Sequence, residues 1–265
     1  MERARRERAF YQELAGHIPL RVPRLLATHD DSDAICLLLA AYQPSPPARL
    51  WQAYRYLEVA EQLARLHAAF WNQTDRLSRY PWLRRPGQET LAADVQQAGG
   101  YWRALREQPR FLAILTEQDY RRINALVSRM AAVAAVLESL PLTLCHGDCN
   151  TGNLLRDADG NWLWADWQEV GLGRGPEDLT FLFQRASFDG GIVPYAEAIA
   201  AYQERLEAAT GERIPVATVQ RVLDAAELWT RLLHWPPHLT QASEEQLAAM
   251  LRRINCLAER LLLAP

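Results

Sequence analysis

Residues 146–153 of the chain read HGDCNTGN, a polar stretch set between the apolar runs that end at Leu144 and begin at Leu154. One His, one Asp and two Asn in so short a segment are more than a simple turn needs. A second carboxylate, Asp166, follows at the end of a run, NLLRDADGNWLWAD, that reads as a hairpin around the turn DADGN. A hairpin returns the chain to its start, so Asp166 is expected to face Asn153. One amide oxygen and one carboxylate suit Mg²⁺, which takes oxygen ligands and leaves its other positions to water and phosphates. Asp148 would then be free to accept the proton of an incoming hydroxyl. That division of labour fits phosphoryl transfer, in which positioning and charge neutralisation supply most of the catalysis. Singly, Asp148 could equally be a turn former and Asn153 a cap; together with Asp166 and Asp178 the bland reading loses weight.

The elements that must position these groups follow from periodicity. Residues 2–15 predict a helix with Phe10, Tyr11 and Leu14 on one stripe, ended by Pro19 and Pro23. Two strand-like runs, Arg24–Ala27 and Ala34–Ala41, flank the turn HDDSD, and the second is apolar enough to predict a buried strand. QPSPPA, residues 43–48, reads as a hinge. Helical spacing then runs from Trp51 to Trp71, and again from Thr116 to Leu140 behind the capping pair Thr116/Asp119. Leu142–Cys145 predicts a short strand into the polar loop, and the chain turns helical from Glu177 to a last helix near 243–263. GLGRG, residues 171–175, lies outside any βαβ unit and predicts a flexible segment over the site rather than a dinucleotide loop. His67 falls on an apolar helix face and reads as a satisfied core histidine. Cys145, His146 and Cys149 lack a fourth ligand at zinc spacing.

HGDCNTGN followed by ADWQEVGLGRGPEDLTFL resembles the aminoglycoside phosphotransferase and choline kinase-like families, small-molecule relatives of protein kinases. LARLHAAFW, residues 63–71, is similar to the helix that precedes the active site there. The resemblance runs from about residue 2 to about residue 240. It implies an α+β, protein-kinase-like fold, with residues 1–42 as an N-terminal lobe remnant, 43–48 as the hinge and 49–265 as a large helical lobe. It implies an ATP-dependent transfer of the γ-phosphoryl group to a hydroxyl of a small molecule, with Asp148 as base, Asn153 and Asp166 as Mg²⁺ ligands, and His146 and Asp178 bracing the loop. Glu7 falls where the family has its Lys-pairing Glu, and Leu39, Ala40, Ala41 and Tyr42 fall at the nucleotide hinge.

The same resemblance calls for a Gly-rich turn and a Lys-bearing strand ahead of Glu7. The sequence starts at that helix, and all 29 of its basic residues are Arg. A shortened N-terminal lobe is therefore expected, with impaired nucleotide binding; the competing reading is a kinase-fold binding or scaffold protein without activity. A sheet left with an open edge predicts a homodimer through that edge. Glu227, His234 and Trp235 in ELWTRLLHWPPHL are the acceptor-site candidates; the stretch is more aromatic than acidic, which favours an alcohol or sugar hydroxyl over a polycationic aminoglycoside. A net charge of −3 gives no reason to expect nucleic acid, no apolar run is long enough for a membrane span, and the charged start is unlike a secretory signal. Four scattered cysteines in 265 residues do not make a disulfide framework, which points to the cytoplasm.

Overall fold

In the computed structural model, residues 2–31, 34–85 and 88–261 are described. Ser32 and Asp33 of the HDDSD turn, and the last residues of the predicted C-terminal helix, lie outside them. The chain forms two compact units, Met1–Arg85 with Pro141–Pro215, and Pro86–Leu140 with Val216–Pro265.

The first unit holds every polar residue of the HGDCNTGN loop and of the hairpin behind it. Helix α1 (Glu2–Ala9) continues into a π-helical turn, Phe10–Leu14, whose Phe10 and Leu14 are fully buried. Strands β1 (Leu25–Asp30) and β2 (Ile35–Leu39) form an antiparallel pair with a register irregularity between Leu25 and Ala27. The expectation of a buried second strand is not met: along β2 half-buried and exposed residues alternate, and Leu38 is 59% exposed. An apolar run alone cannot distinguish a strand covered on both faces from one covered on one face only.

The QPSPPA hinge also gains structure. Gln43 and Pro44 form a short strand, β3, which pairs with β5 (Leu154–Arg156). Pro44 is tolerated because β3 is an edge strand. Strand β5 returns through a turn to β6 (Trp162–Trp164), in register Leu154↔Trp164 and Arg156↔Trp162. The turn is built by Asp157, whose carboxylate accepts the backbone N–H of Asp159 and of Asn161. Strand β4 (Thr143–Cys145) pairs with β7 (Gly171–Gly173). Gly171–Gly173 of GLGRG are thus buried sheet rather than a flexible cover, because the glycines let the backbone close against β4 and against Arg84, whose carbonyl accepts Leu172 N–H at 2.7 Å.

Helix α2 (Ala53–Ala69) buries Tyr56, Val59, Ala60, Leu63, Ala64, Leu66 and His67 on one face, as its spacing predicts. A short α3 (Thr74–Leu77) follows. Helices α7 (Gly175–Phe188) and α8 (Tyr195–Thr210) complete this unit, with α8 packed along α2.

The second unit is helical: α4 (Gln88–Arg106), α5 (Glu117–Val127), α6 (Met130–Leu137), α9 (Val216–Trp229) and α10 (Glu244–Arg260). The single helix expected from Thr116 to Leu140 is two. Thr116 and Asp119 do form the capping box of α5, but the ladder breaks at Ser128 and Arg129 before α6. Trp102 anchors this core, fully buried and donating to Leu232 O at 2.9 Å. No described helix is long and apolar enough to cross a membrane, and all four cysteines are free.

Candidate active site

Strand β4 delivers His146 into a fully buried position, where the two ring nitrogens have different partners. Nε2 lies 3.0 Å from Ala165 O, an acceptor, and Nδ1 receives the Asp148 N–H at 3.3 Å. Only the neutral tautomer protonated at Nε2 satisfies both. Burial pushes the imidazole below its ordinary value, against the neighbouring Asp178 charge. His146 therefore braces the loop, with no nitrogen left over to act as a base. Gly147 follows at φ +85°, and a side chain there would strike the Glu169 backbone.

Asp148 is half-buried and held on both oxygens. Asn150 Nδ2 donates to Oδ1 at 3.3 Å, and Asn153 Nδ2 donates to Oδ2 at 3.1 Å and to the Asp148 carbonyl at 2.9 Å. Asp148 offers Asn153 only acceptors, so the NH₂ must face it, and Asn153 Oδ1 is turned the other way. Asn150 Oδ1 in turn accepts Gly152 N–H at 2.9 Å. The first Asn of the motif, Asn150, is thus a partner of Asp148 to which its sequence position assigned no role; the signal was its place two residues on, within reach of an Asx turn.

Strand β6 carries the chain back, and Ala165 N–H donates to Asn153 O at 2.9 Å. Asp166 thus follows directly on the residue bonded to Asn153, and the Asp148 charge acts on it. It sits in the left-handed region, φ 61° and ψ 63°, which Asp tolerates better than most residues. Burial, then repulsion from Asp148, raise its carboxyl above the ordinary 3.8. Helix α1 packs on the turn that follows. Phe10 stacks on Trp167 at 4.1 Å, Arg6 donates to Gln168 O at 2.7 Å, and Arg3 pairs with Glu169 at 2.5 Å. Glu7 on the same helix accepts the Trp167 N–H, and burial followed by the Asp166 charge raises its carboxyl above 4.5. Tyr11 is buried nearby, its hydroxyl without a partner and pushed up by burial and by Glu7 and Asp166.

Asp178, in the first turn of α7, has the opposite surroundings. Its Oδ2 accepts His146 N–H at 2.7 Å and its Oδ1 accepts Gly147 N–H at 2.9 Å. His67 Nε2 lies 3.2 Å from Oδ2. Burial works against ionisation, but the hydrogen bond from His67, the neighbouring His67 and His146 rings and the Gly147 N–H outweigh it, and the carboxyl falls below 3.8. His67 is a buried histidine with both nitrogens bonded, the other to Tyr202 Oη at 2.9 Å. His67, Cys145 and Asp178 bring a nitrogen, a sulfur and an oxygen within 4.8 Å of one another, a convergence across three elements that spacing along the chain does not reveal.

The remaining candidates are elsewhere. Leu39 ends β2, and Ala40 N–H donates to Arg24 O at 2.9 Å, with Ala41 and Tyr42 leading into β3. Glu227, His234 and Trp235 belong to the second unit. The Glu227 carboxylate is gripped by Arg231 at 2.7 Å and by Arg253 at 2.5 Å, and despite burial these two guanidiniums hold it below 4.5. Trp235 is buried, with His238 against its ring at 6.3 Å, while His234 is exposed. Glu227 is therefore part of an ion-pair network rather than a free acid.

These elements and this loop define a kinase-like phosphotransferase fold. Residues 1–215 match the sequence profile of the phosphotransferase enzyme family, and the chain belongs to that family. Aminoglycoside 2'-phosphotransferase IIIa in complex with GDP superposes with a TM-score of 0.64 at 11% identity, over 98% of this chain and 82% of that one. A microcompartment-associated aminopropanol kinase gives 0.63 at 15%, over 98% and 82%, and an ethanolamine kinase from Plasmodium vivax 0.61 at 12%, over 97% and 72%. No curated protein sequence matches. The fold is thus the protein-kinase-like one shared by aminoglycoside and small-alcohol kinases, and by resemblance the chain is a small-molecule kinase.

Proposed function

We propose that the chain transfers the γ-phosphoryl group of ATP to a hydroxyl of a small molecule, with Asp148 as the general base. The observation that carries this is the pair of amides on Asp148. Asn150 and Asn153 fix both carboxylate oxygens while leaving lone pairs open to an acceptor hydroxyl. The carboxylate takes the proton as the hydroxyl oxygen attacks, and His146 is too fully bonded to compete for that role.

Asn153 and Asp166 fit a hard divalent cation. Their donors are oxygens, Asn153 Oδ1 is the atom turned away from Asp148, and Asp166 lies where burial and the Asp148 charge raise its carboxyl, a position a divalent cation would stabilise. Mg²⁺ held there would neutralise phosphate charge. Leu39, Ala40, Ala41 and Tyr42 form the proposed adenine edge. Residues 1–42, 43–48 and 49–265 are the proposed lobe, hinge and helical lobe. Glu7, which points its carboxylate at the Asp166 turn, awaits a cation in the assembled site.

For the acceptor, the engagement of Glu227 by two arginines removes the one acid of ELWTRLLHW from contact with a cationic sugar. That favours an alcohol or sugar hydroxyl on a moderately apolar molecule, with His234 and Trp235 as the residues to probe. Leu26 and Leu38, 48% and 59% exposed on the β1–β2 pair, favour a second copy of the chain there; sedimentation of Leu38→Glu against the wild type tests it.

The deciding experiment is titration of Mg·ATP into the purified chain, followed by transfer of labelled phosphate to panels of amino alcohols, aminoglycosides and neutral sugars. Saturable nucleotide binding with labelled product, lost in Asp148→Asn while binding persists, is expected. Binding without transfer to any acceptor or to water would favour a non-catalytic binding protein, and normal turnover by Asp148→Asn would remove Asp148 from the mechanism.

A further inference from the structure

Behind the loop, a line of buried polar groups crosses three helices that the phosphotransfer chemistry does not itself use. Tyr202 and His67 are fully buried and Asp178 nearly so. With His67 neutral, their contacts run in one direction. Asp178 receives the backbone N–H groups of His146 and Gly147 on its two oxygens, so it acts as an ionised acceptor. His67 Nε2 must then donate to Oδ2. A neutral imidazole that donates at Nε2 accepts at Nδ1, so the Tyr202 hydroxyl donates to it. The order reads Tyr202 Oη–H to His67 Nδ1, His67 Nε2–H to Asp178, and Asp178 to the two loop amides. His67 also has its backbone carbonyl tied to β4, accepting Thr143 Oγ1–H at 2.6 Å.

We propose, resting on the phosphotransfer reading above, that Tyr202 is a positioning residue which, through His67, sets the backbone presenting Asp148. Helix α8 supplies the hydroxyl, α2 the imidazole and α7 the carboxylate, so the loop is indexed to three packed helices rather than to its own turn. Gly175 belongs to the same device. A Cβ there would collide with Tyr202 Oη and lie 2.7 Å from His67 Nδ1, so the start of α7 must be glycine for the hydrogen bond to close. The sequence reading of His67 as a satisfied core histidine is correct about its bonding and incomplete about what the bonding holds.

The full chain suffices for the test. Long-range ¹⁵N–¹H NMR of the wild type should find His67 neutral and protonated at Nε2; an Nδ1–H tautomer or an imidazolium would overturn the direction argued. Tyr202→Phe and Gly175→Ala should each accelerate amide exchange at His146 and Gly147 by about tenfold beyond any change at the slowest core amides, as the loss of one buried hydrogen bond would. His67→Gln, which keeps an N–H donor, should retain more of that protection than His67→Ala. With Mg·ATP and water as acceptor, Tyr202→Phe should lower kcat and leave KM for ATP unchanged. Unaltered exchange at both amides in Tyr202→Phe would sink the proposal even if transfer is intact. Loss of protection in a chain that never turns over would uphold it and defeat the functional reading alone. Should a variant unfold, the wild-type tautomer still decides. Stoichiometric zinc bound through His67, Cys145 and Asp178 would also overturn it, since an ion would replace the His67 proton.

Discussion

Asp166 and Asp178 lie on opposite sides of one loop and have opposite electrostatic fates. Asp178 is the more buried, yet its carboxyl is pulled down, because an imidazole and two peptide N–H groups are aimed at it. Asp166 is only half-buried, yet its carboxyl is pushed up, because burial and then the Asp148 charge outweigh the neighbouring His146 and the Gln168 N–H. Burial alone does not decide the charge state of a carboxylate; the donors assembled around it do. One aspartate is neutralised by the fold and belongs to the architecture. The other is raised by burial and by a like charge, which suits the cation-holding role proposed for it.

The sharpest way to break this contrast is to remove the structural member. Asp178→Ala strands two peptide N–H groups and His67 in the interior, and should cost about 3 kcal/mol or more in denaturant unfolding. A loss under about 1 kcal/mol would mean the loop finds other partners. Next in size, Asp148→Asn should reduce phosphate transfer by about 10²–10⁴-fold with little change in unfolding midpoint, as expected for a base rather than a scaffold.

Asp166→Asn should move stability the other way. Without added cation the variant should be slightly more stable than the wild type, by less than about 1 kcal/mol given solvent screening at a half-exposed group, and Mg²⁺ should no longer raise its Tm. Destabilisation without cation would place Asp166 with Asp178. The smallest effect is in pH. Asp178, with its folded value below 3.8, contributes stability that is present above 3.8 and lost as pH falls through the lower folded value. Glu7 and Asp166, with folded values above 4.5 and 3.8, contribute in the opposite sense, favouring the folded state below those ordinary values and losing that advantage as pH rises through the raised ones. Cation-free protein should therefore gain stability on mild acidification from neutral pH before losing it in strong acid. Thermal scans from about pH 7 to pH 3 check this, and a monotonic decline would say the raised carboxyls carry no weight.

Much of this was legible in the chain. The polar loop, the hairpin around DADGN, the apolar stripe ending at His67 and the capping pair Thr116/Asp119 are short-range patterns, and each appears where its spacing put it. The failures have one cause. QPSPPA reads as a hinge because it carries three prolines; what the pattern does not show is that its first two residues add an edge strand, which tolerates proline when its partner, β5, arrives from residues 154–156. GLGRG was read as mobile because glycine is permissive, and that same permissiveness lets β7 close on β4. Glu227 is an acceptor-site candidate by its place in ELWTRLLHW, and that pattern cannot show that Arg253 on another helix holds it.

The sequence by itself determined which groups could do chemistry here, since an oxygen-rich loop and a returning hairpin are written in residues close together along the chain. Only tertiary structure decided their charges and orientations. Whether an aspartate is satisfied or left bare depends on donors contributed by helices more than a hundred residues away, as His67 is from Asp178 and Tyr202 is from His67, and a one-dimensional pattern carries no term for what approaches from across the fold.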